Sequence, residues 1–242
     1  LSNRYFEEYE NFSKNAFFIK INNMKIKIQE SEEQKIYVTS DTHFGHNPNW
    51  PVPIWESRGF KSVTEHDSII INSINSVVRP NDILFHLGDF CLNTTIEQFD
   101  SYLSRIQCQN IWYLFGNHNN PHEKSIYRKA MGQNRIGPFP IETYPFQYKN
   151  MLYIGNRINA ILNGQFCVLD HFPIYVWEEM QNGSWMLCGH SHNNCELSRA
   201  STTTGKILDV GWDGHKAVWS LKEIHKVMSR KQFVMVDHHR NE

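Results

Sequence analysis

The chain has 242 residues, of which 40% are hydrophobic and 13% aromatic, and a formal net charge of −1. That length sustains one large core or two small domains, and the composition is globular rather than disordered or fibrous. Balanced charge argues against a broad electrostatic grip on nucleic acid, which wants clustered basic residues, and no apolar run approaches the length of a membrane span.

The chain begins at Leu1 without an initiator Met, as a processed or trimmed chain would, and its first residues lack the charged-then-apolar pattern of a secretory signal. The five cysteines (Cys91, Cys108, Cys167, Cys188 and Cys195) are odd in number and form no CxxC. A disulfide framework is therefore not expected, and a reducing cytoplasm is the expected setting. Residues 1–34 read as an N-terminal extension, in which 17–21 and 24–28 would pair as a hairpin around Asn22-Asn23. Residues 35–242 read as a single domain.

From Lys35 the pattern sharpens. Residues 35–40 read as a strand that ends in Asp41-Thr42-His43-Phe44-Gly45-His46. Prolines 48, 51 and 53 make a loop, after which Ser62 and Glu65 resemble a capping box. Ile70, Ile74, Val77 and Val78 keep helical spacing until Pro80. A strand at 83–87 ends in Gly88-Asp89; Thr94 and Glu97 fit another cap, with Ile96, Phe99, Leu103 and Ile106 on one helical face. A third strand at 111–115 ends in Gly116-Asn117-His118. Alternating strands and helices favour a parallel sheet, and sites in such sheets form beyond the carboxyl ends of the strands.

The second half holds short apolar runs at 151–154, 158–162, 165–169, 185–188, 206–210 and 217–219, read as a second sheet of mixed or antiparallel strands. A terminal helix is expected over 221–231. The run at 165–169 precedes Asp170-His171, and the run at 185–188 precedes Gly189-His190-Ser191-His192. Were that last strand to continue, His190 and His192 would share one face, and paired imidazoles suit a borderline transition metal.

Taken singly, each polar residue has an ordinary role: Asp41 as a cap, His43 and His46 as turn histidines, Asp89 and Asn117 as turn residues after glycine, His171 as a loop anchor. Jointly these readings lose, because seven independent turn residues need not fall at five strand ends. His66, His86, His122, His215, His225, His238 and His239 stay structural or peripheral.

The ordered set Asp41-x-His43, Gly88-Asp89, Gly116-Asn117-His118, His171 and Gly189-His190-x-His192 resembles the calcineurin-like metallophosphoesterase superfamily, most closely its small stand-alone bacterial and phage members. The resemblance runs from about 35 to 221, and within it Gly211-Trp212-Asp213-Gly214 resembles a Gly-x-Asp turn late in related enzymes, with a plain tight turn at least as good a reading. It implies an α/β fold of two facing mixed β-sheets, a β-sandwich flanked by α-helices. It also implies a dinuclear metal site in which Asp41, His43, Asp89 and His192 hold one ion, and Asp89, Asn117, His171 and His190 the other. Mixed carboxylate, amide and imidazole ligands suit two divalent ions, Mn first, with Fe, Zn or Ni as alternatives.

The expected reaction is phosphodiester hydrolysis by a metal-bound hydroxide, with Asn117 steadying charge and His118 protonating the leaving oxygen. Relatives often carry an acidic residue after that histidine, where this chain has Asn119. His46 is a candidate contact to the substrate phosphate. The partner is a phosphate ester, with nucleotides among the candidates; neither a membrane nor broad nucleic-acid binding is expected. The alternatives are a phosphomonoesterase or nucleotide pyrophosphohydrolase, a nuclease whose Trp residues stack bases, and a catalytically silent interaction scaffold. The scaffold reading is lowered by the presence of all seven ligand positions.

Overall fold

Residues 25–48, 52–118 and 146–232 are described by a computed structural model of the chain. The chain enters with β1 (Lys25–Ile28) and β2 (Ile36–Thr39), then passes through α1 (Ile54–Ser57), α2 (Val63–Val77), β3 (Ile83–His86), α3 (Ile96–Arg105) and β4 (Asn110–Leu114). From Phe146 it continues as β5 (Phe146–Tyr148), β6 (Met151–Gly155), β7 (Arg157–Leu162), β8 (Gln165–Asp170), β9 (Trp185–Cys188) and β10 (Ile207–Asp209). It closes with α4 (Trp212–His215), β11 (Trp219–Ser220) and α5 (Leu221–Met228).

These strands make a six-stranded sheet in the order β11-β2-β3-β4-β6-β5 and a five-stranded sheet in the order β1-β7-β8-β9-β10. In the first, β2, β3, β4 and β6 run parallel, with β11 and β5 antiparallel at the edges. In the second, only the β7–β8 pair is antiparallel. The fold is thus the expected pair of mixed sheets flanked by helices.

Strand periodicity sorts the side chains into layers. Along β3, Ile83 and Phe85 enter the core between the sheets, where they join Val38, Trp112 and Leu114 and meet Ala160, Leu169 and Leu187 from the facing sheet. Leu84 turns to the other face, with Ile111 and Tyr113, against Ile70 and Ile74 of α2 and Phe99 and Leu103 of α3. Burying one such side chain contributes roughly 1.5–3 kcal/mol, so these layers fix how the strand ends line up.

Several expectations need correction. The second half does not form one sheet: β5, β6 and β11 join the six-stranded sheet. Lys25–Ile28, assigned to the extension, pairs parallel with Asn159–Leu162 and sends Ile26 and Ile28 into the core. Residues 17–21 and Asn22-Asn23, the other parts of the expected hairpin, lie outside the described residues. The cap of α3 sits one residue later than read: Thr95 and Gln98 form a full capping box, while Thr94 is buried. At α2 the Ser62 hydroxyl accepts from the Glu65 amide, but the Glu65 carboxylate turns to the Lys61 amide instead of Ser62.

All five cysteines are free; burial pushes the Cys108 thiol up to about 12 and raises Cys167 and Cys188 as well. Among the described residues no helix is long and apolar enough to cross a membrane.

Because the Thr95 hydroxyl satisfies an otherwise orphaned amide at the start of α3, Thr95→Ala should lower stability by ~1 kcal/mol, and Thr95→Ser by much less. Urea denaturation checks this; equal losses for the two variants would remove the capping account.

Candidate metal centre

Parallel β2, β3 and β4 deliver Asp41, Asp89 and Asn117 to one end of their sheet, and parallel β8 and β9 deliver His171 and the 190–192 turn to the facing end. At these ends the backbone bends sharply. Asp41, His43, Asp89, His190 and His192 all adopt positive φ, at 57°, 49°, 57°, 64° and 47°. That left-handed region costs an ordinary L-residue ~1–2 kcal/mol and persists where surrounding structure over-determines it. Here the turns brace one another: the Asp41 amide donates to the Gly88 carbonyl at 3.1 Å, and the His43 amide to the Asp89 carbonyl at 3.0 Å.

Two glycines make room for the carboxylates. A Cβ on Gly116 would lie 2.1 Å from Asp89 Oδ1, and one on Gly189 would lie 2.3 Å from Asp41 Oδ2. His190 and His192 do not share a face through a strand, as the spacing suggested. β9 stops at Cys188, and the left-handed turn sends the two rings to different partners.

The side chains leave acceptors facing one another. Asp41 is 0% exposed; its Oδ2 accepts from the His190 amide at 2.9 Å, while its Oδ1 has no hydrogen-bond partner. Both ring nitrogens of buried His43 are likewise without a hydrogen-bond partner, and its Nε2 lies 3.7 Å from Asp41 Oδ1 and 3.8 Å from Asp89 Oδ2. Each such orphaned group costs ~1–3 kcal/mol unless something fills the gap.

His171 Nδ1 lies 2.9 Å from the Leu87 carbonyl, which can only accept, so that nitrogen carries the proton. In the neutral ring the Nε2 lone pair then faces Asn117 Oδ1 at 2.7 Å and Asp89 Oδ2 at 3.4 Å. The same Asn117 oxygen is 2.8 Å from His190 Nδ1. A cation is the species these donors fit. Two groups of candidate ligand atoms, Asp41–His43–His192 and Asp41–Asp89–His171, each lie within 4.8 Å of one another.

Electrostatics follow the packing. Burial, offset in part by His171 and His192 and reinforced by Asp89 and Asp209, pushes the Asp41 carboxyl up to about 6. Burial, with the cations of Arg58 and neighbouring histidines, holds His43 well below its usual range. Burial also lowers His190 and His46. His192 moves the other way: burial lowers it, but its hydrogen bond to Asp213 and the charges of Asp41 and Asp213 outweigh that.

Of the other expected site residues, His118 is exposed, its amide donates to Asp89 Oδ1 at 2.8 Å, and its ring lies 6.0 Å from that of His43. His46 Nδ1 accepts from the Ile54 amide at 3.1 Å, and its ring lies 6.2 Å from His43. Asn119, His122, His238 and His239 lie outside the described residues. His86, read as structural, is buried against the Thr42 hydroxyl. His66, set aside with it, belongs to a buried polar cluster with Arg58, Asp67 and Asp213, which contacts His192. Arg58 carried no signal of its own in the sequence, and Asp213 only its place in a Gly-x-Asp turn. Trp112, Trp177, Trp185, Trp212 and Trp219 are core residues.

Residues 34–194 match the model of the calcineurin-like phosphoesterase family. An uncharacterised protein of Methanocaldococcus jannaschii is 34% identical over 91 residues, 38% of this chain and 50% of that protein, so the chain spans about half the length of this relative. The gene 66 protein of Mycobacterium phage L5 is 26% identical over 212 residues, covering 80% of this chain and 93% of that one. Among solved structures, a protein of unknown function from Aquifex aeolicus superposes with a TM-score of 0.53 at 19% identity, over 80% of this chain and 99% of that one, a likeness of fold.

The raised Asp41 carboxyl makes a signed prediction. Between pH 4 and 6 the folded metal-free chain holds a proton that the unfolded chain releases, so this group's contribution to stability falls as pH rises through that window. The rise from 3.8 to about 6 corresponds to on the order of 3 kcal/mol. Asp41→Asn should therefore stabilise the metal-free protein at pH 8 by ~1–3 kcal/mol, show little difference at pH 4, and lose metal affinity. Urea unfolding with chelator at both pH values checks it; a variant less stable than wild type at pH 8 contradicts the account.

Proposed function

The chain belongs to the calcineurin-like phosphoesterase family, and we propose that it is a metal-dependent phosphoester hydrolase, a phosphodiesterase acting at a dinuclear centre. In this reading Asp41, His43, Asp89 and His192 hold one divalent ion, and Asp89, Asn117, His171 and His190 the other, with Mn favoured by the mixed oxygen and nitrogen donors. The observation that carries it is the convergence of buried Asp41 Oδ1, His43 Nε2, Asp89 Oδ2 and His171 Nε2 on one gap, with Asp41 Oδ1 and His43 Nε2 lacking any hydrogen-bond partner. Geometry alone places Asp41 in both candidate groups. We favour Asp89 as the bridge, because its Oδ2 lies between His43 and His171 while Asp41 Oδ2 is already taken by the His190 amide.

When bound, two such ions polarise a phosphoryl group and lower the pKa of water. The chain's own residues do the rest. Asn117 places a neutral amide where a third carboxylate would repel the phosphate. His118 is anchored through its backbone to Asp89 while its ring stays accessible, which suits it to deliver a proton to the departing oxygen. His46 accepts from the Ile54 amide on Nδ1, so its Nε2–H is free to donate toward a substrate phosphate. Free cysteines support a reducing, cytoplasmic setting. Lys25–Ile28 supports a single domain that begins at or before Lys25.

A proton donor matters in proportion to the basicity of the leaving group. Nitrophenolate departs with little help, whereas a ribose alkoxide needs the proton. His118→Ala should reduce turnover of a nucleotide diester by ~10²–10⁴-fold and of a nitrophenyl diester by under ~10-fold, with metal content unchanged. Turnover ratios with metal analysis decide it: equal losses would rule out proton donation by His118, and a wild type active without any metal would remove the whole reading.

A further inference from the structure

We propose that Arg58 and Asp213 are positioning residues of the metal centre: Asp213 sets the tautomer and ring plane of His192, and Arg58 locks the Asp41–His43 turn to the α4 carboxylate that meets His192. This rests on the ligand assignment proposed above.

The Arg58 side chain is 1% exposed, and a guanidinium stays charged and can only donate. Its Nε donates to Asp213 Oδ1 at 2.9 Å and its Nη2 to Asp213 Oδ2 at 2.6 Å, a bidentate pair. Nη2 also donates to the Asp41 carbonyl at 2.7 Å and Nη1 to the Thr42 carbonyl at 3.3 Å. The last N–H of Nη1 meets His66 Nε2 at 2.9 Å. One fork thus grips both backbone carbonyls of the turn between Asp41 and His43 and, 155 residues away in sequence, the carboxylate behind His192. A lysine has neither the planar fork nor enough donors for this.

Arg58 also fixes the direction of every neighbouring bond. Since it only donates, His66 Nε2 accepts, and His66 Nδ1 donates to Asp67 Oδ1 at 2.7 Å. Asp67 Oδ2 in turn accepts from the Tyr102 hydroxyl at 2.7 Å and the Gly45 amide at 3.1 Å. On the other side, the Asp213 carboxylate only accepts, so His192 Nδ1, 2.7 Å from its Oδ2, carries the proton. That leaves the His192 Nε2 lone pair free, on a ring stacked on His43 with centroids 5.1 Å apart and planes at 15°.

A carboxylate behind a ligating histidine orients it and raises its basicity. The two buried histidines of the site lack this support: His43 has no hydrogen-bond partner on either nitrogen, and His171 has the Leu87 carbonyl. The reinforcement is therefore specific to the ion shared by Asp41, His43 and His192.

The test uses the full chain, ¹⁵N-labelled at histidine, first metal-free and then titrated with Zn²⁺ alone, following the Nε2 shifts of His192 and His171 separately. Metal-free wild type should show His192 as the Nδ1–H tautomer. Asp213→Ala should weaken Zn²⁺ at His192 by ~10–100-fold and leave His171 within about threefold. Arg58→Lys should act in the same direction. Asp213→Asn keeps an acceptor for Nδ1–H and should lose less than Asp213→Ala.

An Nε2–H tautomer in metal-free wild type overturns the inference and needs no variant, so it decides even if Arg58→Lys does not fold. Equal weakening at both histidines, or none at either, overturns the inference while the ligand assignment stands. Zn²⁺ reaching neither histidine in wild type removes the ligand assignment and this inference with it.

Discussion

Two carboxylates with no access to water, Asp41 and Asp89, sit side by side where two sheets meet, and the rest of the centre answers that repulsion. Unpaired buried anions are among the costliest groups a fold can hold. Backbone amides of His190 and His118 take one oxygen of each. His43 and His171 stand 3.4–3.8 Å from the remaining oxygens, which leaves room for something positive between them. Charge, more than shape, dictates what these turns can hold.

Bringing those groups together requires backbone that ordinary residues avoid. Five ligand candidates in the left-handed region form a reservoir of local strain, retained because paired strand ends and close glycine contacts leave no alternative. The apolar layers on both sides of each sheet supply the opposing stabilisation. Function here is concentrated in the least comfortable stretches of chain, mounted on the most comfortable ones.

The motif residues were legible in the sequence because each follows an apolar run that can only be a buried strand, and because Gly beside Asp or His marks a sharp turn. Strand existence followed from the same runs. Sheet membership did not: nothing local tells β6 to join β4, or Lys25–Ile28 to join β7, since both choices are settled by long-range packing. The α3 cap slipped by one residue because Thr94 and Thr95 are chemically alike and only burial separates them. Arg58 was illegible for a related reason. A lone arginine in a loop reads as solvated until a carboxylate 155 residues later is folded onto it.

The centre draws Asp41, His43, Asp89 and Asn117 from one sheet and His171, His190 and His192 from the other. No contiguous segment of chain owns it, and closing it joins positions separated by up to about 150 residues. Such long loops close late in folding, after local helices and hairpins. The order of assembly follows: both sheets form and meet before an ion finds more than a fragment of its ligands. A cation held by these candidate ligands would tie one sheet to the other and act on the rate at which they part rather than on the rate at which they meet. Metal in this architecture would be a late-arriving cross-link, a brake on unfolding rather than a nucleus for folding.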